Sequence, residues 1–174
     1  KITESFSDIH EEFTHSICKT WEDIALRTQN KTRVCLLRTG IVLDKAKGAL
    51  AKMLIPFRLG LGGPIGTGRQ YMSWIHIDDI VGGIMILINN QELKGVFNFT
   101  APEPVTNKEF SINLAKTMNK PCFITTPNFM MKLMLGEMSS LILHGQRVMP
   151  EKLQAADYKF KYNDIFSALD NLLE

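Results

Sequence analysis

Arg33-Val34-Cys35-Leu36-Leu37-Arg38-Thr39-Gly40-Ile41-Val42-Leu43 is the stretch on which the fold turns. Residues 33–37 are a short, nearly continuous apolar run, the pattern of a parallel strand covered on both faces. Arg38-Thr39-Gly40 ends the run and residues 41–43 continue extended. Upstream, residues 12–28 put Phe13, Ile17, Cys18, Trp21, Ile24 and Ala25 at helical spacing on one stripe. A turn at 29–32 joins that helix to the strand, and residues 1–12 read as a polar loop.

Downstream, helix and strand patterns alternate. Residues 49–59 read as a helix, 60–68 as a glycine-rich loop, and 70–77 as an aromatic strand. Asp78 or Asp79 can cap the next helix, which runs to about Asn89. Residues 95–100 form another strand, and Thr106-Asn107-Lys108-Glu109 is a capping box that opens a helix to about Met118. A short strand at 121–125 and a Met-rich helix starting after Pro127 follow. The tail from 150 holds two helical stretches around an aromatic turn at 158–162. The class is therefore α/β. Only 33–37 and 95–100 look like buried central strands, whereas a doubly wound sheet has more. The chain thus reads as the end of such a domain, and its first residue, Lys1 rather than methionine, fits a start inside a larger protein.

Bulk properties exclude several function classes. The 174 residues are 45% hydrophobic and 22% charged, ordinary for a globular protein. A formal charge of +2 with no basic stripe argues against nucleic acid. No apolar run is long enough to span a bilayer and no leader pattern opens the chain, so no membrane partner is expected. Cys18, Cys35 and Cys122 lie far apart without metal spacing, which suggests reduced thiols and a cytoplasmic protein.

The loop Gly60-Leu61-Gly62-Gly63-Pro64-Ile65-Gly66-Thr67-Gly68-Arg69-Gln70 invites a phosphate-binding reading and fails it in detail. Arg69-Gln70 stands where a P-loop needs Lys-Ser/Thr, no Gly-x-Gly-x-x-Gly register fits, and a strand rather than a helix follows. The loop reads instead as a connection lining a pocket. Arg58 and Arg69 flank it, facing either an anionic substrate or solvent. His10, His15, His76 and His144 make no metal spacing, and no metal site is expected. His76, between Ile75 and Ile77, reads as a hydrogen-bonded structural histidine, and Met130, Met131, Met134 and Met138 as core or pocket wall.

Several segments together resemble one family. They are residues 13–22, Cys35-Leu36-Leu37-Arg38-Thr39-Gly40-Ile41-Val42-Leu43, Pro56-Phe57-Arg58-Leu59-Gly60-Leu61-Gly62-Gly63-Pro64-Ile65-Gly66-Thr67-Gly68, Trp74-Ile75-His76-Ile77-Asp78-Asp79 and Gly145-Gln146-Arg147-Val148-Met149-Pro150. The chain resembles the YfcH-type epimerase family, an atypical branch of the extended short-chain dehydrogenase/reductases, over essentially all its residues. That resemblance implies the C-terminal part of a Rossmann-type doubly wound sheet plus a small α+β substrate lobe. Residues 1–48 would end the NAD(P)-binding domain, whose N-terminal half is missing. Residues 49–174 would form mainly the lobe, with 78–100 returning a helix and a strand to the sheet.

The resemblance further implies NAD or NADP as cofactor in a full-length protein, none held by this chain alone, and a small-molecule substrate of the nucleotide-sugar kind. Thr39, Gly40, Ile41 and Val42 match the stretch beside the nicotinamide. Gly66, Arg69 and Tyr71 match the substrate side. Three departures stand out. The glycine fingerprint of the first strand–helix turn is absent. Aligned through Glu22, Thr14 and Cys18 occupy the usual Tyr and Lys positions, and threonine cannot replace a phenol as proton shuttle. Met72, not arginine, precedes Trp74 by two, the nearest arginine being Arg69. Two readings follow: an epimerase- or oxidoreductase-like enzyme when full length, or a non-catalytic dinucleotide-binding sensor or interaction module. Self-association through the cut sheet is the remaining partner expectation.

Overall fold

In the computed structural model, which describes residues 1–6, 13–127 and 145–174, the run expected to end at 38–40 and its extended continuation at 41–43 are two strands. β1 (Cys35–Thr39) pairs in parallel with β5 (Gly95–Phe99), Leu37 opposite Phe97. β2 (Ile41–Leu43) pairs in parallel with β4 (Trp74–His76), Val42 opposite Ile75. The switch falls at Gly40. Its N–H still donates to Phe99 O at 3.0 Å, whereas the N–H of Ile41 already donates to Ser73 O at 2.8 Å. A third pair joins β3 (Tyr71–Met72) antiparallel to β6 (Val105–Thr106).

Among the described residues the helices are α1 (Phe13–Leu26), α2 (Gly48–Arg58), α3 (Ile77–Asn89), α4 (Asn107–Thr117), α5 (Glu151–Ala155) and α6 (Ile165–Leu173). The capping box of α4 forms as read. Thr106 Oγ1 accepts from Glu109 N–H, and the Glu109 carboxylate accepts from Thr106 N–H at 2.7 Å. The two helical stretches of the tail and the parallel neighbours among the central strands are also as expected.

Four expectations change. The strand at 70–77 is broken at Ser73, because β3 and β4 pair with different partners. The cap of α3 is neither aspartate but His76, whose Nδ1 accepts from Asp78 N–H at 3.0 Å. Residues 121–125 form no strand; the chain there begins with a proline, which lacks a donor, and its ladder contact is a single bridge, Ile65 to Thr126. Residues 1–6 are pinned by more than loop contacts. Ile2 bridges Val148, and one Glu4 carboxylate oxygen accepts from both Asn98 N–H and Lys152 N–H. The expected Met-rich helix, with Met130, Met131, Met134 and Met138, and the residues His10 and His144 lie outside the described residues, as does the Thr14 side chain.

The β2–β4 pair separates two cores, as alternation along a strand dictates. Leu43 and Trp74 face one side, with Leu50, Leu54 and Phe57 of α2, Phe110 and Leu114 of α4, and Leu169 of α6. Val42 and Ile75 face the other, with Leu87 of α3, Phe97 and Phe99 of β5, Leu153 of α5 and Phe160.

β1 is not covered on both faces. Leu37 is 40% exposed, since among the described residues β1 pairs only with β5. An open cavity of 170 Å³ lies there, lined by Arg33, Cys35, Leu37, Ile84, Leu87 and Ile88. Beside it Val81, Met85 and Ile88 are exposed at helical spacing along α3. Each such side chain gains about 1.5–3 kcal/mol from full burial, and an open parallel edge recruits other strands. The isolated 174-residue chain is therefore expected to self-associate in sedimentation at micromolar concentration. A monodisperse monomer with cooperative melting would contradict this.

Candidate functional site at the strand ends

Ligands of open α/β sheets lie outside the carboxyl ends of the strands. Here the carboxyl ends of β1 and β5 meet the amino ends of β2 and β4 around Ser73. Gly40 crosses directly over the Ser73 carbonyl, so closely that a Cβ at Gly40 would collide with it and would stand 2.9 Å from the Thr100 methyl. Beyond β5 the chain turns the same way, and Ala101 N–H donates to Trp74 O at 2.6 Å. The Ser73 hydroxyl donates to Gln146 O at 2.6 Å and accepts from Val148 N–H at 2.9 Å. Gly145 lies against the Tyr71 carbonyl with no room for a side chain. Four segments, residues 39–42, 71–74, 100–101 and 145–148, thus share one junction.

The residues expected on the cofactor side sit at this junction. Thr39 is exposed at the end of β1, and Gly40, Ile41 and Val42 are half-buried. The bare face of Gly40 is turned to Ser73 and Thr100, so its smallness serves the crossing of two chains. On the substrate side, Gly66 N–H donates to Thr126 O at 2.8 Å, and Arg69 is exposed with its backbone N–H on Thr67 Oγ1 at 3.3 Å. Of these three, Tyr71 adjoins the junction, two residues before Ser73 and with its carbonyl against Gly145, whereas the contacts of Gly66 and Arg69 lie within and beside the glycine-rich loop. Arg147 is the residue that sequence reading missed. Its guanidinium lies 5.3 Å over the Tyr71 ring, and its backbone carbonyl accepts from Ile2 N–H at 2.8 Å. Its signal was its place in the Gly145-Gln146-Arg147 motif. Arg58, the other arginine beside the loop, is exposed at the end of α2.

Cys18 is exposed on α1, one turn before Glu22. Glu22 takes both nitrogens of Arg38 at 2.7 Å each, which ties α1 to β1. The hydrogen bond from Arg38 holds the Glu22 carboxyl below the usual carboxylate range. Among the described residues no group of three or more His, Cys, Asp or Glu is placed to hold a metal ion.

At the far end of β4, His76 is buried and its ring centroid is 3.9 Å from that of Tyr162. Burial pushes its pKa down from 6.5. The unfolded chain then binds a proton that the folded chain resists. The stability held by neutral His76 is full above about pH 6.5 and is lost as pH falls through the depressed folded value. Melting temperature is expected to drop between about pH 7 and 5, and His76→Asn, which can still cap α3, to flatten that drop. An unchanged slope in the variant would remove His76 as the cause. Glu22, Asp78, Glu109 and Asp164, all with lowered pKa, lose their contribution only at lower pH.

Asp79, read as a helix cap, is fully buried and holds the aromatic turn. It accepts from Tyr158 Oη at 3.0 Å, from Lys161 N–H at 2.7 Å and from Tyr162 N–H at 3.0 Å. Burial, then the Asp79 charge, raises the Tyr158 pKa. Asp78 instead pairs at the surface with Lys161 Nζ at 2.7 Å.

Comparison with known proteins places this arrangement. An epimerase family protein of Staphylococcus epidermidis is 42% identical over 173 residues, which are 99% of this chain and 58% of that protein. The crystal structure of human epimerase family protein SDR39U1 (isoform 2) with NADPH superposes with a TM-score of 0.94 at 32% identity, over 98% of this chain and 58% of that one. These 174 residues are similar to a little over half of each of these two epimerase family proteins. Residues 126–172 also match the family described as a domain of unknown function, DUF1731. A nucleoside-diphosphate sugar epimerase from Corynebacterium glutamicum superposes with a TM-score of 0.77 at 27% identity, over 99% of this chain and 33% of that one. The mixed α/β fold of this chain matches the C-terminal part of Rossmann-type epimerases. The chain spans a little over half the length of the first two relatives.

Proposed function

We propose that this epimerase-family chain is the substrate-side part of an NAD(P)-dependent epimerase or oxidoreductase acting on a small molecule of the nucleotide-sugar class. The observation that carries the reading is the meeting of residues 39–42 and 71–74 at Ser73, outside the carboxyl ends of the parallel strands β1 and β5. When bound, NAD(P) supplies hydride chemistry. The backbone of Thr39, Gly40, Ile41 and Val42 would border the nicotinamide, with the pyrophosphate held by a first-strand glycine turn that these 174 residues do not contain. Gly66, Arg69 and Tyr71, with Arg147 over the Tyr71 ring, form the substrate side, where two guanidinium groups favour an anionic group. Residues 1–48 would end the NAD(P)-binding domain and residues 49–174 form mainly the lobe, with 78–100 returning a helix and a strand to the sheet; the packing of Leu87, Phe97 and Phe99 with Cys35 and Val42 supports that return. The free thiols of Cys18, Cys35 and Cys122 fit a reducing, cytoplasmic setting.

A second reading is favoured by Thr14 and Cys18. With no phenol and no lysine at those helix positions, a full-length protein binds the dinucleotide without turning over substrate and acts as a sensor or interaction module. Calorimetry with NADPH tests the first part: no measurable binding to the 174-residue chain, and binding by the same chain joined to an N-terminal dinucleotide-binding half. A micromolar Kd for the 174 residues alone would overturn the division of labour. Turnover separates the two readings. Thr14→Tyr with Cys18→Lys in the full-length protein is expected to create activity toward a nucleotide sugar under the second reading, and no gain removes this pair as the reason for inactivity.

A further inference from the structure

One end of the molecule carries an apolar surface that the site above does not use. α2 buries Leu50, Leu54 and Phe57 in the first core, yet its opposite face is apolar as well. Lys52, Ile55, Pro56 and Leu59 fall at helical spacing on that outer stripe, and Leu59 is 70% exposed. Leu61 follows in the glycine-rich loop at 55%, and the neighbouring segment brings up Phe123 at 78%, together with Ile124. The two segments are contiguous: Gly63 packs on the Ile124 carbonyl, and a Cβ at Gly60 would stand 3.8 Å from the Pro121 ring. A helix apolar on both faces, and open on one, marks a contact with a second apolar phase.

The charge around this patch has one sign. Residues 45–77 and 110–127 contain no aspartate or glutamate, while Lys52, Arg58 and Lys120 are exposed at the patch. The two described cavities are lined by other residues. Its leading features are a protruding loop pair and a helix stripe. Apolar residues exposed on two segments whose charged side chains are all cations match the boundary of an anionic bilayer, where acyl chains take the first and lipid phosphates the second. We propose that this end of the lobe docks peripherally on an anionic lipid surface, with Leu59, Leu61 and Phe123 entering the headgroup–acyl boundary and Lys52, Arg58 and Lys120 meeting the phosphates. Such contact needs no spanning helix, and among the described residues no helix is long and apolar enough to cross a membrane. The expectation of no membrane partner rested on the lack of a spanning run and does not bear on surface docking.

The test is co-sedimentation of the full chain with vesicles of phosphatidylcholine alone and of equal parts phosphatidylcholine and phosphatidylglycerol. Binding is expected on the anionic vesicles, weakened by added salt, and absent on the neutral ones. Leu61→Ser with Phe123→Ser is expected to weaken it by roughly tenfold or more, and Lys120→Glu by about fivefold or more. All three side chains are exposed, so unchanged melting temperatures will show that the fold is intact. No vesicle binding, equal binding to both vesicles, or unchanged binding by the double variant would overturn the proposal. So would loss of self-association, rather than of vesicle binding, in the double variant, because the patch would then join two copies of the chain. NADPH binding by the same preparations is a separate readout, so this proposal and the catalytic one fail independently.

Discussion

Asp79→Ala is expected to remove about 3–5 kcal/mol of stability, as breaking a buried charged network does. The carboxylate is fully buried and accepts three hydrogen bonds, from the Tyr158 hydroxyl and from the backbone N–H groups of Lys161 and Tyr162. Alanine leaves all three donors facing a site that water reaches poorly, at about 1–3 kcal/mol for each buried donor left unpaired. It also frees the turn between α5 and α6. Phe160 would then leave the second core and Tyr162 the first, so the loss spreads to both sides of β4. Against a total of about 5–15 kcal/mol for a domain, most of the stability goes. Tyr158→Phe removes one donor and should cost about 1 kcal/mol. Urea unfolding of the full chain compares them. If the two variants cost the same, the backbone donors do not depend on Asp79 and the argument fails.

The second large effect is expected at Gly40. Its missing side chain is replaced by the Ser73 carbonyl on one side and by the Thr100 methyl on the other. Valine there cannot be accommodated by rotating a side chain, since the obstacle is backbone. Either the bond from Ile41 N–H to Ser73 O breaks or β2 withdraws from β4. Overpacking of this kind costs about 1–3 kcal/mol and sometimes more. The displacement also carries residues 39–42 away from residues 71–74. Under the proposed function NADPH affinity of the full-length protein therefore falls with stability. Thr39→Ala, one residue earlier but exposed, is expected to stay within about 0.5 kcal/mol of the parent. Equal stability of Gly40→Val and Thr39→Ala would show that the crossing tolerates a side chain.

Much of the fold was legible from local pattern. The runs at 33–37 and 95–100 pair in parallel, and the box at 106–109 starts a helix, because apolar runs and caps act over a few residues. What local pattern hid is long-range. Residues 35–43 look continuous, yet they belong to two sheets, and only the partner strands reveal the switch. Asp78 and Asp79 are equivalent as caps in the sequence. The structure separates them by burial and by a turn about eighty residues away. The candidate site was half legible. Thr39, Gly40, Ile41, Val42, Gly66, Arg69 and Tyr71 come from family resemblance, but Ser73 and Arg147 meet them only through pairing over more than seventy residues.

The junction at Ser73 also has a mechanical consequence. A hinge needs a few residues free to change their backbone torsions. Here the chain at Gly40 is pressed on a carbonyl, the chain at Gly145 is pressed on another, and one hydroxyl bonds residues 146 and 148 together. None of these segments can rotate alone. The strand ends and the lobe are therefore expected to move as one rigid body. Admission of a ligand then falls to the exposed connection at residues 45–47, because the tip between Thr67 and Arg69 is itself tied down by the Gly68 carbonyl, which accepts from Lys108 N–H at 2.9 Å.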